Sequence, residues 1–128
     1  MIYLDSSVAL AQLLAEDRLP PVLLWREQLI SSRLIEYELW NRIHARGLSH
    51  SHGQAVQALL GRVALIELAP PVLERALEPF PTPVRTLDAL HLASIEFLRA
   101  RAQSVELASY DDRLLAAARA LGIALFMS

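Results

Sequence analysis

Short apolar runs alternate along the chain with longer stretches in which apolar residues recur every three or four positions. The short runs are typical of buried strands, and the longer stretches are typical of helices packed on a core. The pattern predicts strands at 1–4, 28–32, 64–68, 105–110 and 123–126. It predicts helices at 7–15, 20–28, 33–46, from Ser49 or Ser51 to 61, and at 70–78, 87–102 and 112–121.

This alternation indicates the fold class, because strands that alternate with helices form a parallel sheet covered on both faces. We expect an α/β fold: one three-layer α/β/α domain over residues 1–128, with a central, mostly parallel sheet of four to five strands. Residues at the predicted helix ends agree with it. Gly47 and Gly122 follow helices, Pro70 and Pro71 open one, and Thr86 is the predicted N-cap of the longest helix.

The composition excludes several kinds of chemistry. Cysteine is absent, which excludes disulfides and thiolate sites, and all 12 basic residues are arginine, which excludes P-loops and Schiff-base enzymes. No apolar run approaches the ~20 residues of a membrane span, and the N-terminal "MIYLDSS" does not resemble a signal peptide. We expect a cytoplasmic protein without a membrane association. The net charge of −2 argues weakly against a general nucleic-acid binder, although bound divalent cations would reverse its sign.

Two aspartates come directly after predicted strands. Asp5 follows the first strand, and Asp111 follows the fourth. Because ligands of parallel sheets bind at the carboxyl ends of the strands, both side chains are candidates for a site. Each is equally well placed to be the N-cap of the helix that follows it.

The stretch "SSRLIEYELWNRI" contains two glutamates on one predicted helix. At about 100° per residue, Glu38 falls within the apolar arc of Ile35 and Leu39, and Glu36 falls on its rim. Glu38 is therefore predicted to face inward, where a carboxylate is costly unless it is paired or binds a metal. An ion pair with Arg42, four residues on, is the structural alternative.

A further acid, Asp88, opens the long helix of "RTLDALHLAS". This helix is apolar nearly all round and should be buried. A negative charge in its first turn is favoured by the helix dipole, but Thr86 is available as the cap, which leaves Asp88 free for a site. We interpret His91, one turn on, as a packed core histidine.

These four acids can converge on one edge of the sheet, where carboxylates repel and raise one another's pKa. A hard divalent cation such as Mg²⁺ relieves the repulsion and, once bound, acidifies a water for attack on a phosphodiester. The pattern therefore indicates metal-dependent phosphodiester hydrolysis. Receiver domains and acid phosphatases have similar architecture but depend on a lysine, which this chain lacks.

Four motifs together resemble the PIN-domain ribonucleases, and most closely their VapC-type toxins. They are "IYLDSSVAL", "SSRLIEYELWNRI", "RTLDALHLAS" and "SYDDRLLAAARALG". The resemblance covers the whole chain and implies a PIN-like fold. It implies a catalytic and metal-binding site of Asp5, Glu38, Asp88 and Asp111 that uses Mg²⁺, with Mn²⁺ as the alternative. By the same resemblance Ser6 or Ser7 orients Asp5 or a water, and Asp112 either supports the metal site or only begins a helix.

The resemblance also implies a biological role. VapC-type toxins are endoribonucleases that cut structured RNA, commonly tRNA or rRNA, and so inhibit translation and growth. They are typically homodimers held in check by a VapB-like antitoxin. The alternative is a PIN-like module that acts on DNA or binds partners without catalysis.

Other residues have open assignments at this stage. The aromatic side chains Trp40, Tyr37 and His44 either serve a dimer, the antitoxin or RNA stacking, or form an ordinary half-buried helix face. Candidate phosphate contacts are arginines close to the motifs in sequence, namely Arg33, Arg42, Arg46, Arg85 and Arg113.

Overall fold

The computed structural model describes residues 1–127. The strands are β1 (Ile2–Leu4), β2 (Leu29–Ser32), β3 (Val63–Ile66), β4 (Glu106–Ala108) and β5 (Ala124–Leu125). The α-helices are α1 (Ser6–Leu13), α2 (Leu34–Ala45), α3 (Ser49–Leu60), α4 (Pro70–Leu77), α5 (Thr86–Ala100) and α6 (Asp112–Ala120). None of the helices in these residues is long and apolar enough to cross a membrane.

The strands form one sheet in the order β3-β2-β1-β4-β5, and every neighbouring pair is parallel. This agrees with the predicted parallel sheet of four to five strands. From β1 the chain builds outward to β2 and β3, then crosses back to place β4 on the other side of β1. The order in which strands are added to the sheet therefore reverses between β1 and β4, although all strands remain parallel. Open α/β sheets bind ligands in the crevice at such a switch point.

The core lies on both faces of the sheet because side chains along a strand alternate between its faces. Ile2 and Leu4 belong to a buried cluster with Ile35 on α2. Tyr3 belongs to a second cluster with Leu92 on α5. One strand thus contributes to both cores, and the predicted three-layer arrangement is confirmed.

The predicted helix over 20–28 is wrong: the structure has only a short 3₁₀ helix, Val22–Arg26. Pro21 has extended backbone, with ψ 142°. It also restricts Pro20, the residue before it, to extended backbone, so no helix can begin at residue 20. The chain is extended again at Glu27, just before β2. Too few residues remain between these two points for an α-helix.

Two predicted N-caps are also wrong. Thr86 is the first helical residue of α5, and the cap position is Arg85, which has extended backbone and no capping side chain. The predicted caps of α3 fail in the same way, since its cap position is Leu48, without a side-chain hydrogen bond. A capping residue must itself be non-helical, and in both cases the hydroxyl residue lies inside the first turn.

The two predicted terminating glycines do adopt left-handed backbone, with φ 66° at Gly47 and φ 72° at Gly122. Two alanines adopt the same conformation: Ala15, just after α1, and Ala102, just after α5. This conformation is strained for any residue that has a Cβ atom.

Candidate functional site

A cavity of about 560 Å³ opens at the carboxyl ends of β1 and β4. The four predicted site acids all line it: Asp5, Glu38, Asp88 and Asp111. They come from four different parts of the chain: Asp5 directly follows β1, Asp111 comes three residues after the end of β4, and Glu38 and Asp88 lie on helices α2 and α5. The fourth strand thus ends at Ala108, before the predicted end at residue 110. The fold thus brings together every acid that the sequence placed at this edge.

Asp5 is the most constrained of the four, and only 5% of its surface is exposed. Its Oδ2 accepts hydrogen bonds from Ser7 Oγ at 2.5 Å and Ser109 Oγ at 2.8 Å. The same oxygen accepts from Ser7 N at 3.4 Å, so Asp5 is also the N-cap of α1. No hydrogen bond within residues 1–127 uses Oδ1, which leaves one carboxylate oxygen for a ligand.

Strand register brings Ser109 to Asp5. Leu4 pairs with Ala108, so the next residue of each strand lies beside the other. Ser109 is buried, and its Oγ also accepts from Asp111 N at 3.0 Å, while Tyr110 N donates to Ser7 Oγ at 2.9 Å. Two serines thus link the ends of β1 and β4. The sequence predicted an orienting role for Ser6 or Ser7, and Ser7 makes the contact; the role of Ser109 was missed.

Asp111 is the N-cap of α6. Its Oδ1 accepts from Arg113 N at 2.9 Å and Leu114 N at 3.2 Å. The capping interpretation is therefore confirmed for both aspartates at the strand ends. Capping and cavity lining are compatible here, because each aspartate caps its helix through one oxygen only.

Glu38 faces the cavity, as its position on the helix predicted, and its side chain is 20% exposed. The predicted alternative of an ion pair with Arg42 is wrong, because no such pair exists in the described chain. Glu38 Oε1 instead lies 2.8 Å from His91 Nε2 on α5. Glu36 points away from the cavity and pairs with Arg33 at 2.8 Å.

His91 is 1% exposed, which confirms its interpretation as a buried histidine. Its Nδ1 lies 2.7 Å from Tyr3 Oη, so both ring nitrogens have partners. Burial opposes its charge, but the hydrogen bond with Glu38 and the nearby carboxylates outweigh burial and raise the pKa of His91. The sequence contained no signal for the contact with Glu38, because 53 residues separate the two.

Asp88 is half-buried in the first turn of α5. Burial raises the pKa of Asp88, and the negative charges of Asp111 and Asp5 raise it further, against a lowering by the backbone N–H of Arg85. The charges of Asp111 and Asp5 are therefore close enough to oppose the ionisation of Asp88. This is the electrostatic condition that a bound cation relieves.

The donor set fits a hard divalent cation. All four acids offer oxygen ligands, which Mg²⁺ and Mn²⁺ prefer, and Asp5 and Asp111 each retain an oxygen outside their capping bonds. Across residues 1–127 no three acidic or histidine side chains are yet gathered closely enough to hold an ion. The cavity therefore has the chemistry of a metal site, and ligation requires the carboxylates to draw together.

Arginines surround the acids. Arg18 and Arg42 line the acidic cavity, and Arg18 stands 4.3 Å from the centre of the Tyr110 ring. A second cavity of about 760 Å³ shares Glu38, Asp88 and Asp111 with the first. Its basic lining residues are Arg42, Arg85 and Arg113. Three of the five predicted phosphate contacts thus lie at the acids, and Arg18 was missed.

The two remaining arginines lie elsewhere. Arg33 is held by Glu36 and Glu67, and Arg46 lines neither cavity. Asp112 begins α6 and lines the second cavity, which is compatible with both of its predicted roles.

The aromatic residues of α2 lie away from the acids. Trp40 is half-buried against the core and stacks on His44, with ring centroids 5.5 Å apart. Tyr37 is 65% exposed. The interpretation as a half-buried helix face therefore holds for Trp40 but not for Tyr37.

Comparison with known proteins agrees with this architecture. The family model of the PIN domain matches residues 2–126. The chain is 34% identical to Ribonuclease VapC46 of Mycobacterium tuberculosis (strain ATCC 25618 / H37Rv) over 126 residues, which is 96% of this chain and 94% of that protein. It is 34% identical to Ribonuclease VapC35 of Mycobacterium tuberculosis (strain CDC 1551 / Oshkosh) over 130 residues, 97% of this chain and 94% of that protein. With a parallel sheet and four acids at one edge, the chain belongs to the PIN-domain family, among its VapC-type ribonucleases.

Proposed function

We propose that this protein is an endoribonuclease that hydrolyses RNA phosphodiester bonds with a divalent cation held by Asp5, Glu38, Asp88 and Asp111. The observation that carries the proposal is the convergence of these acids on one cavity at the switch point of the sheet. The relatives are named ribonucleases, which supports RNA as the substrate. Mg²⁺ is the proposed cation, and Mn²⁺ is the alternative.

When bound, the cation supplies an acidified water and stabilises the charge that develops on the leaving oxygen. Asp5 is the rigid part of the site, because two serine hydroxyls and a backbone N–H hold its Oδ2. Glu38 on α2 is in hydrogen-bond contact with His91 on α5, and Asp88 and Asp111 line the same cavity. Attack by water on the phosphorus, in line with the departing 3′ oxygen, leaves a 5′-phosphate and a 3′-hydroxyl.

The arginines have a separate role. Arg18 lines the first cavity, and Arg85 and Arg113 line the second, which shares three of the acids with the first. Phosphates that flank the scissile one would therefore meet cations in both cavities, which positions the strand without reading its sequence.

Labelled RNA and DNA of the same sequence test the activity. We expect cleavage of RNA with Mg²⁺ or Mn²⁺ and none with EDTA. Asp5→Asn and Asp88→Asn should abolish it. The matched pair Glu38→Gln and Glu74→Gln removes one carboxylate each, and only the first should lose activity, because Glu74 is exposed on α4. Preferential cutting of DNA, or wild-type rates in Asp5→Asn, would refute the proposal.

The proposed biological role is that of a toxin that cuts tRNA or rRNA in the cytoplasm and is restrained by a VapB-like antitoxin. Its support is membership of the VapC-type ribonucleases. Expression of the chain alone should arrest translation and growth, and Asp5→Asn should not. Light scattering of the purified protein tests the proposed homodimer. Growth that is unaffected by an active wild-type enzyme would refute the role of toxin while leaving the nuclease intact.

A further inference from the structure

A buried chain of hydrogen bonds connects the sheet to Glu38. Ser32 N donates to Tyr3 Oη at 3.1 Å, Tyr3 Oη lies 2.7 Å from His91 Nδ1, and His91 Nε2 lies 2.8 Å from Glu38 Oε1. The chain begins on β2, crosses β1 and α5, and ends on α2. Its last two members, His91 and Glu38, line the cavity, and the others lie beneath it.

The donors fix the direction of these bonds. A backbone N–H can only donate, so Tyr3 Oη accepts from Ser32. The hydroxyl of Tyr3 then has its own proton available for His91 Nδ1, 2.7 Å away. The neutral imidazole then carries its proton on Nε2, which points at Glu38. A charged imidazole has a proton on Nε2 as well, so the contact with Glu38 is the same in both forms.

The chain of hydrogen bonds is also shielded from solvent and rigid. Tyr3 is 0% exposed and His91 is 1% exposed, so water does not compete for their hydrogen bonds. Their rings meet edge to face, with planes at 82° and centroids 5.9 Å apart. The glutamate at the end has several rotatable bonds and no ion pair within the described residues except the one with His91.

We propose that His91, oriented by Tyr3, is a positioning residue that holds Glu38 with Oε1 against the imidazole and Oε2 free for the cation. This rests on the proposed function, since it assigns a support to one of the four acids. Groups that orient a metal ligand typically change metal affinity or activity 10–100-fold when they are removed. Tyr3 and His91 thus influence metal binding through the position of Glu38.

Three variants separate positioning from packing. His91→Leu removes the bond to Glu38 at similar volume, His91→Gln restores an N–H group near the Nε2 position, and Tyr3→Phe leaves the imidazole free to change tautomer. Mn²⁺ affinity is measured by EPR of the free ion, and cleavage is measured at fixed Mn²⁺. We expect His91→Leu to weaken Mn²⁺ binding 10–100-fold and to lower kcat with little change in KM for RNA. His91→Gln should recover most of the loss, and Tyr3→Phe should fall between.

A double-mutant cycle shows whether His91 acts through Glu38. In a Glu38→Ala background, His91→Leu should cause no further loss of Mn²⁺ affinity, because the residue it positions is gone. Leu98→Ala, a buried substitution on the same helix, controls for general destabilisation and should leave the affinity unchanged. Thermal unfolding of each variant identifies any that fails to fold. The variants that do fold then show whether His91 acts through Glu38.

Two results would overturn the inference. One is a folded His91→Leu that binds Mn²⁺ as the wild type does, and the other is additive losses in the cycle. Either would leave the proposed nuclease standing, since the wild type would still bind Mn²⁺ and cut RNA. A wild type that does neither would refute both proposals.

Discussion

Ser109 Oγ donates a hydrogen bond to Asp5 Oδ2 at 2.8 Å, although 104 residues separate the two in the chain. The contact exists because β1 and β4 are adjacent parallel strands that end level with each other. It holds the Asp5 carboxylate, which lines the acidic cavity, from the strand on the other side of the switch point. Ser109, a neutral residue that is not one of the four acids, is therefore part of the site.

Removing this hydroxyl should impair both the site and the fold. Ser109→Ala leaves Asp5 with one fewer donor and Asp111 N without an acceptor, which should cost about 1–3 kcal/mol of unfolding free energy. Mn²⁺ affinity or cleavage should fall about 10-fold or more. Chemical denaturation and EPR titration measure the two effects. Ser51→Ala removes an exposed hydroxyl bonded to the carbonyl of Leu48 and should change neither.

Neutralising Asp88 should stabilise the protein when no cation is bound. Because burial and then the charge of Asp111 raise the pKa of Asp88, its ionised form destabilises the folded state. A pKa raised on folding contributes stability that is present below the unfolded pKa and lost as pH rises through the folded one. In EDTA, Asp88→Asn and wild type should thus melt together in acid, and Asp88→Asn should melt higher once Asp88 is ionised.

Melting curves across pH test this difference. Glu74→Gln removes an exposed carboxylate outside the cavity and should follow the wild type. A lower melting temperature for Asp88→Asn at neutral pH would show that the carboxylate supports the fold instead of straining it.

Adding a divalent cation should make the wild type melt at a higher temperature than Asp88→Asn. An ion that binds only the folded protein stabilises it by about 2.7 kcal/mol at 100 times its dissociation constant. The wild type should gain this stability with Mg²⁺ or Mn²⁺ and lose it with EDTA, whereas Asp88→Asn should gain much less. Calorimetry with and without the ion gives the comparison. Equal gains in both proteins would place the ion outside this cavity.

The arginines beside the acids should contribute to RNA binding, and Arg33 should not. Arg113 lines the second cavity, whereas Arg33 is held by Glu36 and Glu67. Arg113→Ala should weaken binding of RNA and reduce its salt dependence by about one released ion. Arg33→Ala should leave both unchanged. Filter binding at several salt concentrations, with a cleavage-deficient background, measures the difference.

One stabilising change lies outside the site. Ala102 has φ 59°, a left-handed conformation that glycine adopts without strain. Ala102→Gly relieves about 1–2 kcal/mol of strain and costs about 0.5–1 kcal/mol of chain entropy, so the unfolding free energy should rise by about 0.5–1 kcal/mol. Ala116→Gly, at an exposed position inside α6, should lower it by about the same amount. Urea unfolding of both variants checks the opposite signs.

Local sequence was sufficient for much of this architecture. The period of the apolar residues predicted the strands, most of the helices and the parallel sheet, because it records which face of each element is buried. It also predicted that Glu38 faces inward and Glu36 does not, since that depends only on rotation about one helix. The position of Asp5 and Asp111 at strand ends followed from chain order alone.

Tertiary structure decided how those acids are held. The partner of Glu38 is the buried His91, 2.8 Å away on α5. Arg42 lines the same cavity but makes no ion pair with Glu38 in the described residues. The bond from Ser109 to Asp5 required β4 to lie beside β1, which no local pattern encodes. The prediction that Thr86 is an N-cap failed because a cap depends on the backbone angles of a single residue. Local periodicity thus determined which residues reach the edge of the sheet, and strand order determined what each one meets there.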